Sequence, residues 1–324
     1  MSTIYIIGNG FDLDHKLNTD YLDFRDFIYT KILSEIGKDE SLSDVLENIN
    51  LYDLPMDTDR DGIQYLSPKA KLEIILKIVG QYTLSGWSNL EESLGLINFE
   101  QIVQKFPGDI YDNEGDIDYF KQDDFISNDS SNWLEGLKTL PEEFSEWIET
   151  IDIDKSIFND QWNKVLNFFP IKNFISFNYT STLEDVYDIS NVFHVHGTSN
   201  DHNSIIFGHQ NDTMPEHNFD TVGADDCIDS CFDFLKKAIN IDGLEQYLRN
   251  SNQIDNLVFI GFSFGSSDYK YLEYFSDINK FPAIWWLYNY NDATAFKEKQ
   301  LLESKFDINS NRIKFFKTEN DLYC

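Results

Sequence analysis

Cations are scarce in this chain. Lysine and arginine number 25 against 57 aspartates and glutamates, a formal net charge of −32. Such a surface repels phosphate backbones and anionic bilayers, whose binding needs clustered Lys and Arg, so direct binding of nucleic acid or of a membrane surface is not expected. A small anionic ligand is still allowed, because a helix N-terminus supplies positive potential locally. Cysteine is scarce too: Cys227, Cys231 and Cys324 are the only three, and none forms a Cys-x-x-Cys pair. A disulfide framework and a zinc site are therefore not expected, and no metal ligand set is assigned. Cys227 and Cys231 lie four apart in a helix-like run and read as packing residues. No apolar run nears about eighteen residues, so no membrane span is expected. The amino terminus enters an apolar run without a basic region, unlike a signal peptide. By elimination the expected compartment is the cytoplasm.

What the chain has in quantity is core-forming material, 41% hydrophobic and 15% aromatic over 324 residues, enough for one large or two ordinary domains. Short apolar runs at 3–7, 174–177, 192–195, 205–207, 257–260, 283–288 and 313–316 read as strands buried on both faces, since none alternates. Helical signals fall between them. Residues 19–36 are amphipathic. Ser67-Pro68 starts a helix whose Leu72, Ile75, Leu76 and Val79 share a face. Further helices are expected at 87–106, 142–151, 158–169, 224–250, 268–277 and 292–306, whereas 38–66 and 107–132 read as polar and loop-like. This alternation predicts an α/β fold, a Rossmann-like, mostly parallel sheet built from 1–37 and 170–324, with 38–169 as a large helical insertion or cap.

The chemistry collects where strands end. Gly8-Asn9-Gly10 directly follows the first strand, and two glycines there suit a backbone passing close to a phosphate or ribose. A full dinucleotide fingerprint needs a third glycine at 13, where Leu13 stands, so an ordinary tight turn is the competing reading. Asp12 and His15 adjoin this loop as second contributors. Asn178 falls at the exit of the 174–177 strand, and Ser181 with Glu184 forms a capping-box pattern for a following helix. The 192–195 strand delivers His196 and Gly197; His194, two residues earlier, shares a strand face with His196 and reads as packing. A fourth loop, 261–268, carries Gly261 and Ser263, with Asp268 read as a first-turn helix acid. In a doubly wound sheet, loops 8–15, 178–181, 196–198 and 261–268 converge at the carboxyl ends of the strands.

These motifs, in this order, carry a resemblance. Ile-Gly-Asn-Gly-Phe-Asp-Leu-x-His-x-Leu from Ile7, Trp87-Ser-Asn-Leu-Glu91, Phe-Asn-Tyr-Thr from Phe177, His-x-His-Gly from His194 and Gly-Phe-Ser from Gly261 resemble the bacteriophage abortive-infection AbiH family over most of the chain. The same set looks like a divergent sirtuin-type nucleotide-binding domain, in which a Gly-rich first loop, an Asn-bearing loop, a His-Gly and a later Gly-x-Ser loop recur. That resemblance implies that Gly8, Asn9 and Gly10 approach cofactor phosphates, that Asn178 holds nicotinamide or its ribose, that His196, beside Gly197, is the catalytic histidine, and that Gly261 and Ser263 meet the adenosine side. Thr180 stands where sirtuins carry Asp, and their zinc module has no counterpart, so protein deacylation is not implied. Related sirtuin-like domains of phage defence cleave NAD.

The expected activity is therefore NAD+ hydrolysis to ADP-ribose and nicotinamide, with NAD as substrate and Asn178 and His196 as the catalytic pair. Two alternatives stay open: a sensor that binds a nucleotide or ADP-ribose without turnover, and a protein-interaction factor with an acidic surface. The expected partner is a small nucleotide, with self-association or a phage or host trigger protein also open.

Overall fold

A computed structural model of the chain describes residues 2–83, 86–106, 108, 110–199, 201, 204–214, 223–249, 251, 253–277 and 282–323. Cys324 lies outside them. The strands are β1 (Ser2–Ile7), β2 (Met56–Thr58), β3 (Gln64–Leu66), β4 (Ile171–Ser176), β5 (Val192–His194), β6 (Ile254–Ile260), β7 (Ile284–Tyr288) and β8 (Ile313–Phe316). The chain divides into two compact units: Met1–Asp20, Ile148–Ile206 and Ala238–Cys324 form one, Tyr21–Trp147 and Phe207–Lys237 the other.

The first unit is built on a parallel sheet of order β5-β4-β1-β6-β7-β8. All six residues of β1 are buried. Its side chains alternate between two separate apolar clusters: Ile4 and Ile6 pack with Ile175, Leu257, Phe259 and Trp285, while Tyr5 and Ile7 pack with Phe174, Val258, Ile260 and Trp286. A strand covered on both faces reads as a continuous apolar run, which is why β1, β4, β6 and β7 show no polar alternation. Register follows from these pairs, with Tyr5 opposite both Phe174 and Val258 and its ring stacked on Phe174 at 5.1 Å. The chain runs outward from β1 through β4 to β5, then returns to the other side of β1 with β6 and runs outward again. Strand order therefore reverses between β1 and β6, the place where open α/β sheets part their loops.

The second unit is helical and carries β2 and β3 as an antiparallel hairpin. Helix Pro68–Gln81 starts as expected, with Ser67 accepting from the Ala70 N–H. Phe24 packs edge-on against Phe144 at 5.3 Å and Trp87 at 5.8 Å. Trp133 is wholly buried and donates to the Leu51 carbonyl at 3.0 Å. No helix among the described residues is long and apolar enough to cross a membrane.

Several elements differ from expectation. Much of 107–132 is not a loop: helix Tyr119–Leu137 occupies it, with Asp118 accepting from the Lys121 N–H. Its buried stripe contains Ser130 and Gly136, residues too small and polar to register as apolar periodicity. The single helix expected at 224–250 is two, Asp225–Phe234 and Ile241–Leu248, the second capped by Asn240. The segment 205–207 is not a strand; His209 instead bridges to Lys236. The run 87–106 is broken into Gly86–Asn89, Leu90–Leu94 and Phe99–Val103. The 38–66 segment holds helix Leu42–Asn48 besides the hairpin. The unit boundaries differ from 1–37, 38–169 and 170–324 accordingly: helix Tyr21–Ile36 and 207–237 belong to the helical unit, while Trp162, Val165 and Leu166 pack under the sheet.

Candidate functional site

Two loops meet at the switch point through backbone alone. The Gly8 N–H donates to the Ile260 carbonyl at 2.9 Å, and the Gly10 N–H to the Gly261 carbonyl at 2.8 Å. A Cβ on Gly8 would lie 2.6 Å from the Phe262 Cα, and one on Gly261 would lie 2.1 Å from the Phe11 nitrogen. Gly261 also sits at φ +63°. The glycines thus let two chain segments touch, and in this conformation neither N–H of Gly8 or Gly10 is presented to a phosphate. Asn9 is exposed and its amide donates to the Thr19 carbonyl at 2.7 Å.

The helix Gly10–Asp14 that follows carries Asp12 inward, 1% exposed. Both carboxylate oxygens are held: the Thr180 hydroxyl donates to Oδ2 at 2.5 Å and the Thr182 hydroxyl to Oδ1 at 2.7 Å. Burial pushes the Asp12 carboxyl above the usual aspartate range; the Thr180 and Thr182 hydroxyls, the nearby His15 and the Asn178 amide all oppose that rise without cancelling it. His15 is buried, its Nδ1 2.7 Å from the Phe11 carbonyl and its Nε2 2.5 Å from the Tyr187 hydroxyl. Both ring nitrogens are therefore engaged within the chain.

Asn178 leaves β4 as expected, 5% exposed, its N–H donating to the Ser176 hydroxyl at 3.1 Å. Its amide nitrogen faces Asp12, and its Oδ1 is buried with no hydrogen-bond partner among the described residues. Buried side-chain oxygens are normally satisfied, so an acceptor left open at a strand exit marks a place for a donor from elsewhere. The helix Thr182–Tyr187 begins as predicted, yet the Ser181 hydroxyl donates to Asp185 in place of the capping-box bond.

Strand β5 ends at His194, so His194 and His196 do not share a strand face. His194 is 3.1 Å from the Asn178 carbonyl through Nδ1 and 2.8 Å from Glu184 Oε1 through Nε2. It ties the Asn178 loop to the next helix. His196 is 3% exposed and lies against Phe177 and Tyr179, the two neighbours of Asn178, with ring centroids 5.3 and 5.8 Å away. Its Nε2 is 3.3 Å from Asp268 Oδ1. Gly197, at φ +79°, is pressed on the Ser204 backbone, where a Cβ would fall 2.1 Å from the carbonyl oxygen. Ser263 is exposed, next to the buried Phe262 and Phe264.

The structure thus gathers Asp12, Asn178 and His196 at the carboxyl ends of β1, β4 and β5, with Gly8, Gly10 and Gly261 as the packing seam beside them. Sequence reasoning missed Thr180 and Thr182 as donors to Asp12, and Asp268 as the partner of His196. Thr180 was visible only as a departure from Asp in the sirtuin pattern. Glu91 of the second unit is buried 3.1 Å from the Lys237 ammonium, and Trp87 is core.

A parallel sheet of this order, with a buried carboxylate, amide and imidazole at the carboxyl ends of its strands, defines a Rossmann-like α/β protein. The chain belongs to the family described as bacteriophage abortive infection AbiH, whose profile matches residues 4–290. That membership supports a role in phage abortive infection. No curated protein and no solved structure matches the chain.

Proposed function

We propose that the sheet-bearing unit binds NAD+ at the carboxyl ends of its strands and hydrolyses it to ADP-ribose and nicotinamide as part of abortive infection. The observation that supports this most is the open acceptor of Asn178 on a loop whose flanking rings, Phe177 and Tyr179, pack on His196. With its amide nitrogen turned to Asp12, Asn178 presents Oδ1 to a donor, either a ribose hydroxyl or the attacking water. In the reaction the ribosyl C1′–N bond breaks, nicotinamide leaves with the electron pair, and water adds at C1′. His196 receives the proton that water loses. The chain's main contribution is to hold the ring and the water in line while excluding solvent.

Asp12, His196 and Asn178 are 1%, 3% and 5% exposed, so the dinucleotide enters only after the loops part. Turnover is accordingly expected to need a trigger. The same burial supports a second reading, a sensor that binds a nucleotide or ADP-ribose without cleaving it. Purified chain is incubated with NAD+, with and without lysate from phage-infected cells, and nicotinamide is followed by chromatography. Release that disappears in Asn178→Ala and His196→Ala supports the hydrolase. Thermal stabilisation by NAD+ or ADP-ribose with no product in any state supports the sensor. Neither product nor stabilisation removes both.

A further inference from the structure

We infer that the start of helix Tyr119–Leu137, with the loop before it, is a docking surface for a basic protein segment that carries apolar side chains among its lysines and arginines. The helix buries one stripe, Ile126, Ser130, Trp133 and Leu137. Tyr119, seven residues before Ile126, continues that stripe, yet it is 67% exposed. Phe120, on the flank beside it, is 88% exposed. Tyr111, at the entrance of the loop, is 60% exposed. The loop closes on itself at the helix start: Tyr111 bridges to Ile117, the Asp112 N–H donates to the Asp116 carbonyl at 2.8 Å, and the Asp118 N–H to the Ile110 carbonyl at 2.7 Å. Single exposed rings are ordinary, but an apolar stripe that outruns its cover, with further large rings at the same end, marks a surface that meets a partner.

Charge says what that partner is. Residues 111–124 hold six carboxylates, Asp112, Glu114, Asp116, Asp118, Asp123 and Asp124, against one cation, Lys121. That is a net −5 in fourteen residues, against −32 in 324 for the chain, so the charge is several times denser here than on average. Lys121 is itself tied to Asp118 at 2.8 Å. Carboxylate oxygens of Asp112, Glu114 and Asp116, all exposed, lie within 4.8 Å of one another. Like charges so close repel, and an incoming cation relieves the repulsion. Arginine does so while its guanidinium also stacks on a ring face. The partner is thus cationic to match the acids and apolar to cover Tyr119 and Phe120, while nucleic acid and anionic lipid are turned away by the same charge. Docking of this kind does not depend on cleavage of NAD+ by the sheet-bearing unit.

The test adds full chain, at about 0.15 M sodium chloride, to two fluorescein-labelled peptides of equal length, one alternating arginine with tryptophan and one arginine with serine, and follows anisotropy. The arginine–tryptophan peptide is expected to bind at least about 10-fold tighter, and the double variant Tyr119→Ser, Phe120→Ser to lose at least about 10-fold of that affinity. Phe296→Ser, which removes an exposed ring elsewhere, should leave it within about twofold. Replacing Asp112→Asn, Glu114→Gln and Asp116→Asn together should weaken binding and make it less sensitive to salt. Equal affinity for the two peptides, or affinity unchanged in either multiple variant, overturns the inference and leaves only attraction to an acidic surface. Displacement of the peptide by about 1 mM calcium chloride assigns the carboxylates to an ion instead, and also overturns it. So does dimerisation in sedimentation that disappears in Tyr119→Ser, Phe120→Ser, since a second copy then covers the rings.

Discussion

Gly261 shows how little room a single residue leaves at the switch point. It combines φ +63° with a backbone nitrogen 2.1 Å from where a Cβ would stand, and the obstructing atom belongs to Phe11, not to the tip of a flexible side chain. Gly261→Ala is expected to cost about 3 kcal/mol or more, the left-handed backbone and the overlap both contributing. Urea denaturation followed by tryptophan fluorescence measures it, and a loss under about 1 kcal/mol contradicts the packing seam. Asp12 carries a pH signature. Its folded pKa is raised, so between the ordinary aspartate value near 4 and the folded value the folded chain holds a proton that the unfolded chain has lost. Stability contributed by this group is therefore full below about pH 4 and falls as pH rises through that window. Asp12→Asn is expected to melt higher than the wild type at pH 7, with the difference shrinking toward pH 4; a difference that grows on acidification refutes the direction. At this scale Asn178 and His196 were legible, because a polar residue straight after a buried strand has few local uses. Asp268 was not, because an acid opening a helix already has an ordinary explanation, and its actual partner is 72 positions away in the chain. The pairing of Gly10 with Gly261 was hidden for the same reason.

Among the elements, helix Tyr119–Leu137 offers the clearest inversion of a propensity rule. Alanine normally improves a helix over glycine by about 1 kcal/mol. At Gly136, however, a Cβ would lie 2.6 Å from Ile74 Cδ1 and 2.8 Å from Ile74 Cβ, on the facing helix Pro68–Gln81. Ile74 is fully buried and β-branched, with little freedom to withdraw. Gly136→Ala is therefore expected to destabilise by about 1–2 kcal/mol, overpacking outweighing propensity. A thermal melt that rises with this substitution shows that the helices separate freely and the close approach is incidental. This helix was read as a loop because its close packing uses Ser130 and Gly136 where periodicity looks for Leu or Ile. The sheet was easier. The buried centres of β1, β4, β6 and β7, at 4–7, 174–175, 257–260 and 285–287, announce themselves as short apolar runs, whereas 205–207 is equally apolar yet forms no strand, since composition over three residues carries no pairing partner.

For the whole molecule the governing quantity is the charge of −32. Like charges distributed over one chain repel, and that repulsion opposes the compact state. Raising ionic strength from about 0.01 M to 0.15 M shortens the screening length from about 30 Å to about 8 Å. The melting temperature is therefore expected to rise with sodium chloride across this range. The same field acts on the proposed substrate. NAD+ is itself an anion, so it approaches against the surface potential, and screening should help it in: KM is expected to hold or fall as salt is raised. A site that gripped the diphosphate with clustered cations would behave in the opposite sense, losing affinity as salt competes. The seam of Gly8, Gly10 and Gly261 supplies no such cations, and in the proposed site Asn178 and His196 would act through hydrogen bonds that salt barely touches. Titrating NAD+ at several salt concentrations separates the cases. A KM that climbs several-fold toward 0.15 M would mean that the dinucleotide is held by a basic surface elsewhere on the chain and that the strand-end cluster is not its site.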